Sequence, residues 1–206
     1  MVKHLEEELM SPGKGLAPTT MTEPEQEDLL TITRGHARDH MLISVGLGTG
    51  LRLQELLGLN VGDVAPDGRT VRSRFQLDPA ITKGGRSGEV FLPARLVEKL
   101  QGYLEWKRQQ HHPMAPGSPL FISQRGTRLS KRRAQQIFRH WQEKAAFDRF
   151  YGFHCLRHSA ITNVYRATRD VLLTQRFARH SNLATTTIYT HPSDDDLYRS
   201  VQKLRC

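Results

Sequence analysis

Cysteine is nearly absent, with Cys155 and Cys206 the only two in 206 residues. A pair so widely separated builds no disulfide framework, and neither residue stands in a CxxC-type metal spacing. A reducing cytoplasm is the expected setting. Long apolar runs are lacking as well. No stretch approaches the roughly 18 apolar residues that cross a bilayer, and the N-terminal MVKHLEEELMS is acidic without the apolar centre of a secretory signal. Membrane and secretory readings fall away. Acidic residues are outnumbered, 21 Asp and Glu against 30 Lys and Arg, leaving a formal net charge of +9. Clustered cations release counterions from a phosphate backbone, which points to a nucleic acid, although charge alone would equally suit a basic protein kept soluble by its surface.

A chain of this length has room for one good core, so one domain is expected. Residues 1–21 mix charge with Pro12, Gly13, Gly15 and Pro18 and read as a flexible leader, with order expected over 22–206. Thr22 and Glu25 fit a capping box, and Glu25, Glu27 and Asp28 favour a helix N-terminus there. The segment 39–59 is leucine-rich but broken by Gly46, Gly48 and Gly50, predicting two helices that meet at a bend with Thr49 capping the second. TVRSRFQL and EVFLP read as paired strands flanking KGGRSG. After Pro93, Leu96, Leu100 and Leu104 predict a helix to about Gln110, which HHPMAPGSP ends.

Ser130 is a predicted N-cap for SKRRAQQIFRHWQEKAA. Ala134, Ile137, Phe138, Trp141 and Ala145 share one face of that helix, and Lys131, Arg132, Arg133 and Arg139 lie elsewhere as candidate DNA contacts or an ordinary solvated surface. In the tail PSDDDLYRSVQKLRC, Ser193 fits a cap and Leu197, Val201 and Leu204 fit one face of a short amphipathic helix. The predicted class is mainly α with a small antiparallel β-sheet (α+β).

The segment 151–191, YGFHCLRHSAITNVYRATRDVLLTQRFARHSNLATTTIYTH, holds His154, Arg157, His180 and Tyr189 in one run. Upstream, GTGLRLQELLGLNVGDV supplies Arg52 and ITKGGRSGEVFLP supplies Lys83. An HxxR pair alone carries little weight, but six ordered positions across about three quarters of the chain are specific. Together they resemble the catalytic domain of the tyrosine recombinase (phage integrase) family.

The resemblance implies the family's catalytic-domain fold and a site-specific DNA recombinase or integrase, working without metal or cofactor through a covalent 3′-phosphotyrosyl intermediate. Tyr189 is the implied nucleophile. Tyrosine suits the role because phenolate, with a pKa of about 10, leaves more readily than a sugar alkoxide, so the bond energy is kept and the step can reverse. Arg52 and Arg157 match the phosphate oxygens with planar forks, and His154 and His180 add hydrogen bonds, His154 also serving as a base. Lys83 is the implied acid for the leaving 5′ oxygen, with Arg86 a nearby phosphate contact. Glu55, three residues after Arg52, either orients that arginine or forms an ordinary helical ion pair with it.

Double-stranded DNA is the implied partner, in the nucleoid, with a tetramer on DNA, a monomer off it, and a partner recombinase or accessory DNA-binding protein. In the family the tail docks on a neighbouring protomer; folding back on its own domain is the alternative. Two departures stand out. Residues 1–38 are too short for the family's separate N-terminal DNA-clamping domain, so that domain is expected to be missing, and Arg179 stands where the family more often has glycine. A non-catalytic DNA-binding regulator and a type IB topoisomerase are the competing readings.

Overall fold

A computed structural model describes residues 19–82, 84–85, 87–189 and 201–202. The chain divides into two compact units, Thr19–Ile161 and the chain from Thr162 onward.

In the first unit, helix α1 (Glu23–Ile32) opens with the predicted capping box. Thr22 Oγ1 accepts from the Glu25 amide at 3.3 Å, and Glu25 Oε2 accepts from the Thr22 amide at 2.7 Å, so two otherwise orphaned donors are satisfied. Packing begins earlier than expected. Met21, placed by the sequence at the end of the flexible leader, is 2 % exposed and its amide donates to Ser159 Oγ at 2.9 Å. A thioether in the core outweighs the loop-forming residues before it; residues 1–18 lie outside the described ones.

Helix α2 (Ala37–Thr49) buries Met41, Leu42, Ile43 and Val45 and packs on helix α5 (Ala94–Gln109), whose Leu96, Leu100 and Leu104 are buried at the predicted spacing. Gly50 ends α2 with φ 58 and ψ 26, a left-handed cap that glycine adopts without strain. The second helix of the bend, α3 (Leu53–Gly58), has Arg52 as its N-cap. The expected cap, Thr49, is instead the last residue of α2, and its hydroxyl donates back to the Val45 carbonyl at 2.6 Å. A one-turn helix α4 (Val61–Val64) follows.

Strands β1 (Arg74–Gln76) and β2 (Glu89–Phe91) pair antiparallel, Phe75 opposite Val90, and both of those side chains are buried. Lys83 and Arg86, between the strands, lie outside the described residues. Helix α6 (Lys131–Lys144) is capped as predicted, Ser130 Oγ accepting from the Arg133 amide at 3.2 Å, and buries Ala134, Ile137, Phe138 and Trp141. Helix α7 (His154–Thr168) carries the HxxR pair.

In the chain from Thr162 onward, α8 (Val171–Ala178) and α9 (Ala184–Thr187) pack together. Ser193, Leu197 and Leu204 of the expected tail helix lie outside the described residues. No helix of the described residues is long and apolar enough to cross a membrane.

Lys107 was not expected in the core, yet it is fully buried, its Nζ donating to the Pro119 and Leu120 carbonyls at 2.9 and 3.2 Å. Burial pulls its ammonium down to about 8 from 10.5. The folded protein therefore holds this proton less tightly than the unfolded chain. Below about pH 8 both states are protonated and the cost is fully present; between 8 and 10.5 the unfolded chain binds more protons and stability rises as the cost is relieved. The full difference is on the order of 3 kcal/mol. Urea unfolding of wild type and Lys107→Met at both ends of that range should show wild type gaining on the variant as pH rises; a constant gap contradicts the assignment.

Candidate active site

In the first unit, the left-handed Gly50 turn delivers Arg52 at the head of α3. Glu55, only 2 % exposed, accepts from the Arg52 amide through Oε2 at 2.8 Å and from Arg52 Nη1 through Oε1 at 2.9 Å. One carboxylate thus fixes both the backbone and the guanidinium of Arg52. The expected partnership holds, although Arg52 caps the helix rather than lying on its face.

Arg157, on the first turn of α7, is 3 % exposed, and its Nη1 donates to the Gly50 carbonyl at 2.5 Å. This contact spans 107 residues of sequence and draws Arg157 to the turn that carries Arg52. His154, one helical turn before Arg157, completes the group. Burial lowers its pKa, the positive charges of Arg157 and then Arg52 lower it further, and Glu55 opposes them. The imidazole is therefore held neutral and able to accept a proton. Its ring meets that of His158 edge-on at 4.6 Å. The structure thus brings Arg52, Glu55, His154 and Arg157 together.

In the chain from Thr162 onward, His180 and Tyr189 form a second group. Their rings lie 24° from parallel with centroids 6.2 Å apart, and Tyr189 is 8 % exposed. Two residues the sequence did not single out hold this group. Thr186, fully buried, places its Oγ1 2.9 Å from His180 Nδ1, and Gln175 Nε2 donates to the His180 carbonyl at 3.2 Å. When Thr186 donates to Nδ1, the His180 proton resides on Nε2, which then becomes the outward donor. The threonine run before Tyr189 was the available signal for Thr186, but three adjacent threonines gave no means of choosing among them.

Arg179 caps α8 in the left-handed region, φ 55 and ψ 42. That conformation favours glycine, so an arginine here carries backbone strain. Arg179→Gly should stabilise the protein by about 0.5 to 1 kcal/mol in chemical denaturation; a loss of stability would mean that the side chain, whose Nη1 donates to the Phe177 carbonyl at 3.0 Å, outweighs the backbone strain.

The basic residues of α6 are exposed. Lys131 Nζ donates to Gln54 Oε1 at 3.1 Å and Arg133 Nη1 to Gln136 Oε1 at 3.4 Å. Arg139 pairs with Glu143 at 2.8 Å and lies 3.2 Å over the Phe150 ring. An exposed pair of that kind contributes little and leaves the guanidinium exchangeable. Among the described residues no group of three or more His, Cys, Asp or Glu side chains is arranged to hold a metal ion.

The sequence profile of the phage integrase family matches residues 19–196. The chain belongs to the phage integrase family. Among its relatives, the tyrosine recombinase XerC of Neisseria meningitidis serogroup B is 35 % identical over 162 residues, covering 79 % of this chain and 50 % of that protein. XerC of Caldanaerobacter subterraneus subsp. tengcongensis is 31 % identical over 206 residues, covering 98 % of this chain and 55 % of that protein. The chain therefore spans about half the length of these curated relatives. Among solved structures, the XerA recombinase superposes with a TM-score of 0.73 at 26 % identity, covering 95 % of this chain and 68 % of that one. The XerH site-specific recombinase, bound to its palindromic difH substrate in a post-cleavage complex, gives a TM-score of 0.71 at 26 % identity, covering 91 % of this chain and 54 % of that one. The mainly helical fold with a two-stranded antiparallel sheet is that of tyrosine recombinase catalytic domains.

Proposed function

We propose that the chain is the catalytic part of a site-specific DNA recombinase that cleaves and rejoins strands through a covalent 3′-phosphotyrosyl intermediate. The observation that carries this reading is the buried contact from Arg157 to the Gly50 carbonyl, which sets two guanidinium groups around a neutral His154. Like charges brought to one place cost free energy, which the Glu55 carboxylate on Arg52 offsets in part. A phosphate with charge building on its non-bridging oxygens would offset that cost.

In the proposed reaction Arg52 and Arg157 hold the scissile phosphate, and Glu55 fixes Arg52. Tyr189 attacks phosphorus and displaces the 5′ oxygen, which Lys83 protonates. His154 takes the phenol proton, and His180, positioned by Thr186, donates a hydrogen bond to the phosphate. The free 5′ hydroxyl of a second strand then attacks the phosphotyrosine and restores the phosphodiester with phenolate leaving. Arg86, Lys131, Arg132, Arg133 and Arg139 supply backbone contacts, of the kind that position DNA without reading sequence.

Double-stranded DNA is the proposed partner. Assembly as a tetramer on it fits the apolar surface of the second unit, where Leu172 and Leu173 are 63 % and 51 % exposed.

The test is incubation with duplexes nicked near the cleavage position, so that the short cleaved fragment diffuses away and the intermediate accumulates. Denaturing electrophoresis should then show DNA that migrates with the protein. Salt-sensitive binding with no covalent product, even when a DNA-clamping domain from a relative is fused in front, would leave a DNA-binding regulator as the better description.

A further inference from the structure

Helix α7 begins at His154, and the chain leading into it is fastened by one side chain of α6. Gln142 is fully buried, and its amide faces the main chain of Tyr151. Oε1 accepts from the Tyr151 N–H at 2.6 Å, and Nε2 donates to the Tyr151 carbonyl at 3.1 Å. Both main-chain polar groups of Tyr151 are thus satisfied as a neighbouring strand would satisfy them, three residues before His154. Nε2 also donates to the Phe138 carbonyl, one turn back on α6, at 3.2 Å, which fixes which end of the amide points where. Phe138 in turn meets Phe153 edge-on with centroids 5.3 Å apart, so α6 holds the segment on both sides of Gly152.

An apolar side chain of the same size could fill this space, and a buried amide costs free energy unless its groups are bonded. What the amide adds is direction, because its bonds fix where Tyr151 sits and therefore where the next few residues begin the helix. Those residues carry His154, with Arg157 one turn further on. We propose that Gln142 is a positioning residue for His154 and Arg157, fastening the start of α7 to the helix that bears Lys131, Arg132, Arg133 and Arg139. The inference rests on the strand-transfer function proposed above and lies wholly within the first unit.

The Tyr151 hydroxyl is held separately. It donates to Glu25 Oε1 at 2.8 Å and accepts from Arg149 Nε at 2.7 Å. Loss of the Gln142 bonds should therefore leave the ring anchored to α1 and the protein folded, while the main chain before His154 gains freedom.

The test is single-turnover cleavage of nicked duplex by the full chain over a range of protein concentrations, at a temperature below each variant's thermal transition. Gln142→Met keeps the length of the side chain and removes its hydrogen bonds. Its maximal rate should fall about ten- to a hundredfold, the effect of a small misplacement of catalytic groups, while the half-saturating concentration moves by less than about twofold. Gln142→Glu adds a pH signature. A protonated carboxyl accepts and donates as the amide does, a carboxylate only accepts, and burial raises the carboxyl pKa. The ratio of its rate to that of wild type should climb toward one as the pH falls from about 8 to about 5. A third readout needs no cleavage: the NMR titration of His154, identified by its loss in His154→Gln, should move up in Gln142→Met as burial and Arg157 cease to hold it down. A lower thermal transition with an unchanged maximal rate, a Gln142→Glu ratio that ignores pH, or an unmoved His154 titration overturns the proposal. Failure of wild type to form covalent product counts against the strand-transfer function and not against the clamp, which the His154 titration then tests alone.

Discussion

Replacing Tyr189 by phenylalanine is expected to abolish covalent capture of DNA, a fall of about 10⁴-fold or more, because the substitution removes the attacking oxygen itself. The ring stays. Phenylalanine keeps the stacked neighbour of His180 at 6.2 Å and the backbone bond from residue 189 to the Thr186 carbonyl at 3.0 Å, so the local fold should survive. DNA affinity, which rests on phosphate contacts, should change by less than about 1 kcal/mol, with an unchanged salt slope. Covalent capture on nicked duplex and fluorescence anisotropy at several salt concentrations separate the two quantities. Capture at the wild-type level by Tyr189→Phe would move the nucleophile to another residue.

The second large effect is expected at Arg157. Arg157→Ala removes the hydrogen bond to the Gly50 carbonyl and a planar donor pair from the proposed phosphate site. Loss of donors to a transition-state oxyanion costs about 10²–10³ in rate, and single-turnover cleavage should fall by at least that factor. Stability should fall by about 1 to 3 kcal/mol, since a buried carbonyl loses a charged donor. Arg157→Lys retains the charge without the fork geometry; it should keep most of the stability but recover little of the rate. If the lysine variant cleaves as wild type does, Arg157 acts as a point charge only. If both variants cleave normally while folded, Arg157 belongs to the core and not to the site.

The sequence was most informative where one local interaction decides a structure. The Thr22 and Glu25 capping box, the Ser130 cap, the leucine spacing of α5 and the strands around KGGRSG are all written within a few residues, and the structure has each of them. It was least informative where partners are far apart in the chain. Met21 reads as part of a loose leader until Ser159, 138 residues on, captures its amide. Lys107 reads as a surface residue of an amphipathic helix because nothing nearby announces that the carbonyls of Pro119 and Leu120 will enclose its ammonium.

The candidate site shows the same division. Arg52, His154, Arg157, His180 and Tyr189 were recognisable by type and order, and the structure places the first three in one group and the last two in another. Thr49 was misassigned as a cap because α2 runs through to Thr49 and ends in the left-handed Gly50, so that α3 begins only after Arg52; with glycine at 46, 48 and 50 the sequence did not say which one would end the helix. Thr186 and Gln175 were missed because their roles depend on where His180 sits after folding, and a polar residue on a short helix carries no such mark.

The central claim is that DNA becomes joined to one particular oxygen. Its most direct test is to trap the covalent complex on a nicked duplex, digest both protein and DNA, and locate the residual nucleotide by mass spectrometry. The account predicts a 3′-linked phosphonucleotide on the peptide that contains Tyr189, and on no other. A nucleotide attached to Tyr151, Tyr165 or Tyr198, or to a serine, would contradict it.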